Sequence, residues 1–593
     1  MVSFLDGVLV GRHKKLLTLQ TAYQAKGLCQ AIPDYRRWNK ALGLWTCRPS
    51  VANIEYIRAI FRTAEWSPEA LALEAEAMEV RKSGDRLRDQ RLHLDTVEDP
   101  EVVDYKWDGV FPPWAHQKKA FLLSRDEAVF ALLMEQRTGK TKVIIDTAAW
   151  LFLHGSIDTL VVICPNSVKD VWEEEISVHL PPSIPRTVRV WDAKTGKKER
   201  TELEAWKRLP DAKSLKVLVV NVEAMSTKRA QEWVLDYVNY NRALLAVDES
   251  TRIKTPGAKR TRAIKKLGEQ SSYKRILTGT PVTKSPLDLF SQFGFLDTNI
   301  LGYGSFYAFR NAFCIMGGYE NKEVLAYTNL DTLKELIAPY TFRITAAECQ
   351  DLPPKVYQRI EVDLSPEQRR LYNELADDMK TEYDGHSVSV TLALTQMTRL
   401  QQIVGGFLAV ASDDFKTGKH VRSKDRYVPV GIEGKNPKLD GLIDTLPDLS
   451  GKIIIWARFR PELNAIAERL RKEYGDESVA EFHGAIDRRV RTENRRRFED
   501  PDTDARFFVS NPAVGSMGLD LSVAGVTIYY SNSFDLEHRL QSEKRVDASG
   551  KEGKSLYLDI VARNTVDEKI RTAMIDKKNI ADLITGDTWT SWI

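Results

Sequence analysis

Residues 128–151 read AVFALLMEQRTGKTKVIIDTAAWL and decide the fold of the chain around them. An apolar run of strand length comes first, a short polar loop follows, and an amphipathic helical segment comes last. Backbone amides at the start of such a helix point at phosphate groups. Lys140 is placed to reach the β- and γ-phosphates, and the Thr141 hydroxyl to bind Mg²⁺. Thr138 and Gly139 would form the wall of the loop.

The loop contains a single glycine. A full phosphate-binding loop has an earlier glycine, separated from its Gly-Lys-Thr by four residues, and Met134 stands at that position here. A bare Gly-Lys-Thr also occurs by chance in many chains of this length. The prediction of a nucleotide site therefore depends on the strand–loop–helix context.

Two adjacent acids follow a second apolar strand, at residues 243–247. Asp248 and Glu249 come directly after it. Acids at the carboxyl end of a strand in a nucleotide-binding sheet suit metal and water chemistry, with Asp248 holding Mg²⁺ and Glu249 accepting a proton from the attacking water. The alternative is a pair of solvated turn acids. The phosphate loop upstream favours the catalytic interpretation.

Short apolar strands alternate with longer amphipathic segments in two series. The first series comprises residues 128–133, 160–164, 217–220, 243–247 and 275–277. The second comprises residues 453–456, 479–482, 507–510, 526–530 and 556–560. Alternation of this kind is typical of βαβ units and parallel sheets. We therefore expect an α/β protein with two lobes, and residues 385–440, which are polar and rich in Gly and Lys, as an insertion or irregular helical subdomain.

Composition excludes several classes of protein. The 593 residues are 43% hydrophobic and 28% charged, with a formal net charge of +3, an ordinary globular balance. The five cysteines form no C-x-x-C pair, which argues against a disulfide framework or a cysteine-rich zinc site and suits a reducing cytoplasm. No apolar run approaches the length of a membrane span. We expect a cytoplasmic protein, and one that is monomeric.

Charge is distributed unevenly near the amino terminus. Residues 1–63 hold ten Lys/Arg and three Asp/Glu, and residues 64–104 hold five Lys/Arg and twelve Asp/Glu. A basic module is a candidate for binding nucleic acid, because cations that neutralise phosphates release counterions. A solvated basic surface is the alternative. The acidic segment after it predicts a helix capped by Ser67 with Pro68 at its first position.

The basic module contains two tryptophans in a stretch that favours a strand–turn–strand unit, AIPDYRRWNKALGLWTCRPS at residues 31–50. Arg36, Arg37 and Lys40 offer phosphate contacts, and Trp38 could stack on an exposed base. The alternative is that the tryptophans form the core of a small domain, and we expect this of at least one of them.

From residue 105 onward, ordered motifs resemble those of the Swi/Snf-type DNA translocases of helicase superfamily two. Besides the phosphate loop and the acidic pair, they lie at residues 112–121, 161–176, 275–296, 453–459, 481–500, 509–530 and 564–584. RILTGTPVTKSPLDLFSQFGFL, at 275–296, is the most specific of them. The resemblance implies two RecA-like parallel-sheet lobes with helical insertions, Mg²⁺ and ATP as cofactors, and DNA as partner.

The resemblance also implies roles for individual residues. Gln117 would read adenine, and Gln541 and Arg545 would act at the γ-phosphate. DNA backbone contacts are implied for two segments, with Thr280 and Pro281 in the first and Gly515 and Gly518 in the second.

One position departs from the family pattern. The second arginine after Gln541, usually the arginine finger, is replaced by Ala548. An arginine finger contributes about 10³–10⁵-fold to phosphoryl transfer. Either Arg539 or Arg545 supplies the charge, or hydrolysis is impaired. A non-hydrolysing, ATP-regulated DNA clamp is therefore kept as an alternative.

Residues 33–45 resemble the HepA-related domain of annealing helicases, which implies a small α+β domain that grips junctions of double- and single-stranded DNA. The full division predicts this domain at 1–63, an acidic helical connector at 64–104 and the ATP-binding lobe 1 at 105–345. A helical or irregular insertion region is expected at 346–445, and lobe 2 with C-terminal brace helices at 446–593. The expected function is ATP-dependent translocation on duplex DNA that re-anneals or remodels forks. A strand-separating helicase of the same superfamily is the second enzymatic alternative.

Overall fold

The protein is described here by a computed structural model. It describes residues 7–34, 36–192, 197–208, 213–283, 285–318, 323–349, 354–383, 390–411, 427–512, 519, 521–546 and 554–585. The chain divides into two compact units, Met1–Cys349 together with Asn579–Ile593, and Gln350–Lys578. Each unit is considered by itself. Within the described residues, no helix combines the length and the apolar character that a membrane crossing requires.

The first unit begins with a small sheet in the order β3-β4-β2-β1-β5. Its strands are β1 Leu9–His13, β2 Leu16–Gln20, β3 Arg37–Asn39, β4 Leu44–Cys47 and β5 Glu65–Trp66. Helices α1 (Lys26–Gln30) and α2 (Val51–Ile60) accompany it. Val10, Leu17 and Leu19 are buried side chains of this sheet, and they form a core with Ile54 and Ile57 of α2.

Helix α3, Pro68–Asp95, joins this N-terminal sheet to the larger part of the unit. The predicted cap is confirmed, since the Ser67 side chain accepts a hydrogen bond from the Ala70 amide at 3.2 Å. Leu73, near the start of the helix, belongs to the core of the small sheet. Leu87 and Leu94, near its end, belong to the core of the larger sheet. The acidic connector is therefore a continuous helix with one end in each core.

The larger sheet of this unit is parallel throughout, in the order β14-β6-β11-β10-β7-β9-β8. Its strands are β6 Val129–Met134, β7 Thr159–Cys164, β8 Arg186–Val190, β9 Leu215–Asn221, β10 Ala243–Asp248, β11 Tyr273–Leu277 and β14 Thr341–Ile344. A hairpin of β12 (Cys314–Gly317) and β13 (Glu323–Tyr327) follows β11 in the chain. Strands β6, β11 and β10 are neighbours, so their carboxyl ends meet at one edge.

Helices connect these strands. They are α4 Ala115–Ser124, α5 Lys140–Leu153, α6 Lys169–His179, α7 Lys197–Arg208, α8 Lys228–Tyr240, α9 Lys259–Gly268, α10 Leu289–Leu296, α11 Thr298–Leu301, α12 Phe306–Phe313, α13 Leu330–Ile337 and α14 Ala346–Cys349. This is the first of the two α/β lobes that the strand series predicted, and the family resemblance implied its RecA-like parallel sheet.

The second unit holds another parallel sheet, in the order β15-β22-β21-β18-β20-β19. Its strands are β15 Lys355–Val362, β18 Ile453–Trp456, β19 Val479–Phe482, β20 Phe507–Ser510, β21 Val526–Tyr529 and β22 Ser555–Ala562. A separate hairpin consists of β16 Phe407–Ala411 and β17 Tyr427–Gly431. The helices are α15 Pro366–Tyr383, α16 Val390–Val404, α17 Pro437–Thr445, α18 Arg460–Tyr474, α19 Arg488–Glu499, α20 Leu536–Glu543 and α21 Val566–Thr585.

All strands expected from the two apolar series are present, with ends that differ by at most two residues. Strands β8, β14 and β15 were not predicted. Each lies at an edge of its sheet and is only partly buried, so its side chains lack the continuous apolar run of an interior strand. Residues 346–445 include helices α15, α16 and α17, but Lys355–Val362 is a strand of the second parallel sheet and not part of an insertion.

Candidate functional site

The phosphate loop leaves β6 at Met134 and enters α5 at Lys140. Arg137 and Gly139 both have left-handed backbone conformations, with φ of 66° and 82°. The loop thus makes its turn with one glycine and one strained non-glycine residue. Met134 is the last residue of β6 and is fully buried, so it packs in the hydrophobic core and is not part of the turn. Lys140 and Thr141 occupy the first positions of the helix, where backbone amides are unpaired.

Gln117, on α4, braces this loop. Its Nε2 donates to the Thr138 carbonyl oxygen at 3.1 Å, and its Oε1 accepts from the Trp114 amide at 3.0 Å. His116 Nε2 lies 2.8 Å from the same Thr138 oxygen. Gln117 is buried, and a Cβ on Gly139 would stand within 3.0 Å of its side chain. The side chain predicted to read adenine therefore packs directly on the phosphate loop.

Substituting Gly139 with alanine is expected to weaken ATP binding by about tenfold or more. The new methyl group would collide with the Gln117 amide and push it from the loop. Gly155→Ala is the matched control, because Gly155 also has positive φ (65°) but has open space around its Cβ position. Both variants carry ~1–2 kcal/mol of left-handed strain. Equal ATP affinities of the two variants, measured by titration, would contradict the role of this contact.

Asp248 is the last residue of β10, and both of its carboxylate oxygens are held. Trp172 Nε1 donates to Oδ2 at 3.0 Å, and the Glu249 amide donates to Oδ1 at 3.0 Å. Burial raises the pKa of Asp248, while the nearby charge of Lys140 acts in the opposite direction. The charge of Lys140, at the start of α5, therefore acts on Asp248 at the end of β10, although β11 lies between β6 and β10 in the sheet.

Glu249 adopts a left-handed conformation (φ 49°), which turns the chain sharply at the end of β10. Its Oε2 lies 3.5 Å from the hydroxyl of Thr278, a fully buried residue that follows β11. The same hydroxyl accepts a hydrogen bond from the Thr280 amide at 3.1 Å. Thr278 thus joins the acid expected to handle water to the loop of residues 278–281.

Gly279 lets this loop approach the phosphate loop closely. A Cβ at Gly279 would lie 3.1 Å from the Glu135 Cα and 3.3 Å from the Met134 carbonyl oxygen. These are backbone atoms, which cannot swing aside as a side chain could. The strongest sequence motif and the weaker phosphate loop are therefore in backbone contact.

Gln292 of α10 is a further site residue, and sequence reasoning did not single it out. It is fully buried; its Nε2 donates to the Pro281 carbonyl at 2.7 Å, and its Oε1 accepts from the Ser250 hydroxyl at 2.7 Å. Pro281 itself is buried, whereas Thr280 is partly exposed. The sequence feature that could have pointed to Gln292 is its position inside the most specific family motif, residues 275–296.

The donor chemistry at this edge fits Mg²⁺. A carboxylate (Asp248) and a hydroxyl (Thr141) are oxygen ligands of the kind that Mg²⁺ takes along with phosphates and water. Among the residues that the structure describes, no group of three or more His, Cys, Asp or Glu side chains forms a metal site by itself. This suits an ion held jointly with a nucleotide.

In the second unit, Gln541 and Arg545 lie on and just after α20. Gln541 is buried. Arg545 is partly buried; its carbonyl accepts from the Leu521 amide at 3.0 Å, and its Nη1 lies 3.5 Å from the Leu519 carbonyl. Gly515, Gly518 and Ala548 lie outside the described residues.

Arg539 does not fit the role of a substitute arginine finger. Its Nε bonds Glu543 at 2.6 Å, its two terminal nitrogens bond Asp559 at 2.5 and 3.2 Å, and its guanidinium stacks 3.4 Å above the Tyr529 ring. All of these residues are buried. The guanidinium group of Arg539 thus makes its hydrogen bonds within its own unit. Arg545 remains as the candidate for the charge at the γ-phosphate.

Glu462 of α18 provides a pH-dependent stability in this unit. Burial raises its pKa from 4.5 to about 7, although its Oε2 accepts hydrogen bonds from Ser531 at 2.5 Å and the Phe459 amide at 3.0 Å. The charges of nearby Lys438 and Asp567 act in opposite directions on that pKa. Between about pH 4.5 and pH 7 the folded state binds more protons than the unfolded state, so stability falls as the pH rises through this window.

Replacing Glu462 with glutamine is expected to flatten this dependence and to raise the melting temperature at pH 8, because the amide oxygen can accept both hydrogen bonds without a buried charge. Glu468→Gln, an exposed change on the same helix, is the control. Melting curves recorded from pH 4 to 8 provide the comparison. A slope identical to that of the unmodified protein would contradict the assignment.

The residues predicted to touch DNA in the N-terminal sheet are placed differently from one another. Trp38 and Trp45 face each other across β3 and β4, with ring centroids 5.7 Å apart, and Trp38 remains 47% exposed. Trp45 packs on the core, as expected for one of the two. Arg36, Arg37 and Lys40 are all exposed, and Arg36 also donates to the Ile32 carbonyl at 2.9 Å.

Comparison with known proteins gives concordant results. The SNF2-related domain matches residues 38–405, and the helicase conserved C-terminal domain matches residues 435–548. YwqA of Bacillus subtilis is 22% identical over 504 residues, 82% of this chain and 50% of its own length. The TATA-binding protein-associated factor mot1 of Aspergillus fumigatus is 24% identical over 457 residues, 71% of this chain and 23% of its own.

Among solved structures, the Sulfolobus solfataricus SWI2/SNF2 ATPase core in complex with dsDNA is 23% identical, with a TM-score of 0.36, and covers 82% of this chain and 96% of that one. The chain covers 50% of the length of the Bacillus subtilis relative and 23% of the length of the Aspergillus fumigatus relative. The SNF2-related model alone matches more than half of the chain. With its two parallel-sheet lobes and its ordered site motifs, the protein belongs to the SNF2-related family and carries the helicase conserved C-terminal domain.

Proposed function

We propose that the protein is a DNA-dependent ATPase that translocates on duplex DNA and re-anneals or remodels branched structures such as replication forks. One observation carries the proposal: Lys140, Asp248, Glu249 and Thr278 meet at the shared edge of β6, β10 and β11. A phosphate-binding loop, two adjacent acids and the Thr278 hydroxyl beside Glu249 together suit nucleotide hydrolysis.

In the proposed reaction, the phosphate loop binds the triphosphate through the amides at the start of α5 and the Lys140 ammonium. Thr141 and Asp248 would hold Mg²⁺, which supplies charge neutralisation on the phosphates when bound. Glu249 orients the attacking water and accepts its proton. Trp172 keeps the Asp248 carboxylate in one orientation through its indole N–H.

Hydrolysis would be coupled to DNA through the loop of residues 278–281. Thr278 contacts Glu249, and the following Thr280 is partly exposed and suited to a backbone phosphate. From the second unit, family resemblance proposes Arg545 for the γ-phosphate, with Gln541 beside it. Phosphate contacts make tracking largely independent of sequence.

The preference for branched DNA would come from the N-terminal sheet. Arg37 and Lys40 are exposed and cationic, and the exposed indole of Trp38 offers a stacking face for an unpaired base. Helix α3 fixes this sheet to the first lobe. Such an arrangement would place a junction-gripping surface on the translocating lobe.

The test is phosphate release from Mg-ATP with no DNA, linear duplex, single strands and a model fork, beside the Trp38→Ala variant. Fork-specific stimulation that Trp38→Ala reduces to the level of duplex would support the proposal. Equal stimulation by all duplexes would keep the translocase and remove the preference for forks. Unwinding of a long duplex would favour a strand-separating helicase instead.

A DNA clamp that binds ATP without hydrolysing it is the second candidate, and Ala548 is the observation that favours it. ATP-sensitive release of DNA without any phosphate production would identify it. Restoring arginine at position 548 would then be expected to produce turnover.

A further inference from the structure

Asp34, in the motif assigned above to DNA recognition, is completely buried. Its Oδ2 accepts a hydrogen bond from the Gly304 amide at 2.8 Å. Its own backbone is fixed by Asn53, whose side chain accepts from the Asp34 amide at 2.8 Å and donates to the Asp34 carbonyl at 2.7 Å. Asp34 is therefore a rigid contact from the N-terminal sheet to the loop before α12, and not a group that faces solvent.

The lobe is shaped to receive this contact. A Cβ at Gly304 would lie 2.5 Å from the Arg48 guanidinium and 2.9 Å from the Asp34 carboxylate, so only glycine leaves both groups in place. The Asn53 amide also donates to the Arg48 carbonyl at 2.9 Å. The carboxylate, the guanidinium and the glycine form a closely fitted joint at the start of α12.

Helix α12 continues from this joint into the aromatic core of the lobe. Phe306 and Phe309 both contact Phe290 of α10, with ring centroids 5.5 and 5.4 Å apart. Phe309 is fully buried and Phe290 nearly so. Because a core of this density cannot absorb a displacement locally, a shift at the start of α12 would move α10.

Helix α10 in turn holds the candidate catalytic loops. Gln292, two residues after Phe290, binds the Pro281 carbonyl and the Ser250 hydroxyl, both at 2.7 Å. Ser250 directly follows Glu249. An uninterrupted series of contacts therefore runs from Asp34 to the acidic pair.

We propose that Asp34 couples nucleic acid bound at the N-terminal sheet to the acidic pair of the first lobe, through α12 and α10. The inference rests on the proposed function for its nucleic-acid partner, and it makes Asp34 a positioning residue rather than a DNA contact. Allosteric coupling is a free energy shared by two sites, and contiguous packing is the physical basis on which it can be tested.

The test compares two joint variants with a control. Asp34→Asn removes the negative charge that faces Arg48, and Gly304→Ala places a methyl group between the two side chains. Glu65→Gln, a change of an exposed acid on β5, is the control. Four quantities are measured: basal phosphate release, its stimulation by a model fork, fork affinity by fluorescence anisotropy, and hydrogen exchange of residues 289–296 with and without the fork. Both joint variants are expected to retain basal release and fork affinity. We expect their stimulation to fall by about fivefold or more, with loss of the fork-induced change in exchange.

Undiminished stimulation in a folded Asp34→Asn protein would overturn the proposal, as would a loss of fork affinity that accounts for the whole effect. If Asp34→Asn fails to fold, Gly304→Ala decides by the same criteria. If the unmodified protein shows no turnover but its exchange at 289–296 responds to the fork and this response is lost in the variants, the proposed ATPase fails while the coupling stands. A fork that binds without any response at 289–296 would overturn the coupling alone.

Discussion

Replacing Glu249 with glutamine is expected to lower fork-stimulated phosphate release by about 10³-fold, because an amide cannot accept the proton of the attacking water. Glutamine keeps the size of the side chain and can still meet the Thr278 hydroxyl, so the loop of residues 278–281 should remain in place. ATP affinity is therefore expected to stay within about threefold, since no phosphate contact is removed. Single-turnover hydrolysis and equilibrium nucleotide binding separate the two effects.

Glu232→Gln is the matched control, because it is the same chemical change at an exposed position of α8, where Glu232 pairs with Lys228 at 3.7 Å. Its turnover should equal that of the unmodified protein. A Glu249→Gln protein that still hydrolyses ATP at a tenth of the normal rate or faster would remove Glu249 from the role of general base.

Replacing Arg539 with methionine is expected to destabilise the second unit by about 3–5 kcal/mol, which corresponds to a fall of about 10 °C or more in melting temperature. Methionine fills part of the volume but leaves the carboxylates of Glu543 and Asp559 buried without their cation. Thermal melting followed by circular dichroism measures the change. Turnover should fall as well, since α20 carries Gln541 and precedes Arg545.

Two further variants show whether charge is the cause. Adding Asp559→Asn and Glu543→Gln to Arg539→Met removes the unpaired charges and should recover much of the lost stability. Arg370→Met, an exposed arginine paired with Glu367 and Glu374 in the same unit, should leave the melting temperature unchanged. If the triple variant is no more stable than the single one, lost packing against Tyr529 is the larger effect.

The interior strands could be predicted from sequence because a strand covered by helices on both faces is apolar throughout. Residues 453–456, all Ile and Trp, are an example, and the structure has the strand with the predicted ends. Edge strands such as β15, whose residues are all exposed or only partly buried, resemble surface sequence. The site residues of the first lobe were equally accessible to prediction, since Thr138–Thr141 and Asp248–Glu249 lie together in short motifs that follow strands.

Contacts between distant segments could not be predicted. Gln292 is 42 residues from Ser250, and Asp34 is 270 residues from Gly304. No local periodicity specifies such a partner. Within residues 31–50 the sequence offered Arg37 and Lys40 as DNA contacts and assigned no role to Asp34, which is buried against the lobe while both cations are exposed. Similarly, the sequence offered Arg539 as a charge for the γ-phosphate, but in the structure its guanidinium group pairs with Glu543 and Asp559.

Because α3 is one continuous helix, the number of its residues fixes the direction in which the N-terminal sheet faces the lobe. A helix turns by about 100° and rises by about 1.5 Å for each residue. One alanine inserted between Ala77 and Gly84 would therefore rotate the sheet by more than a quarter turn and withdraw Asp34 from Gly304. Seven inserted residues, close to two full turns, would restore the direction of the sheet while moving it about 10 Å away. The length of this helix, counted in whole turns, is thus as much a part of the mechanism as any side chain it carries.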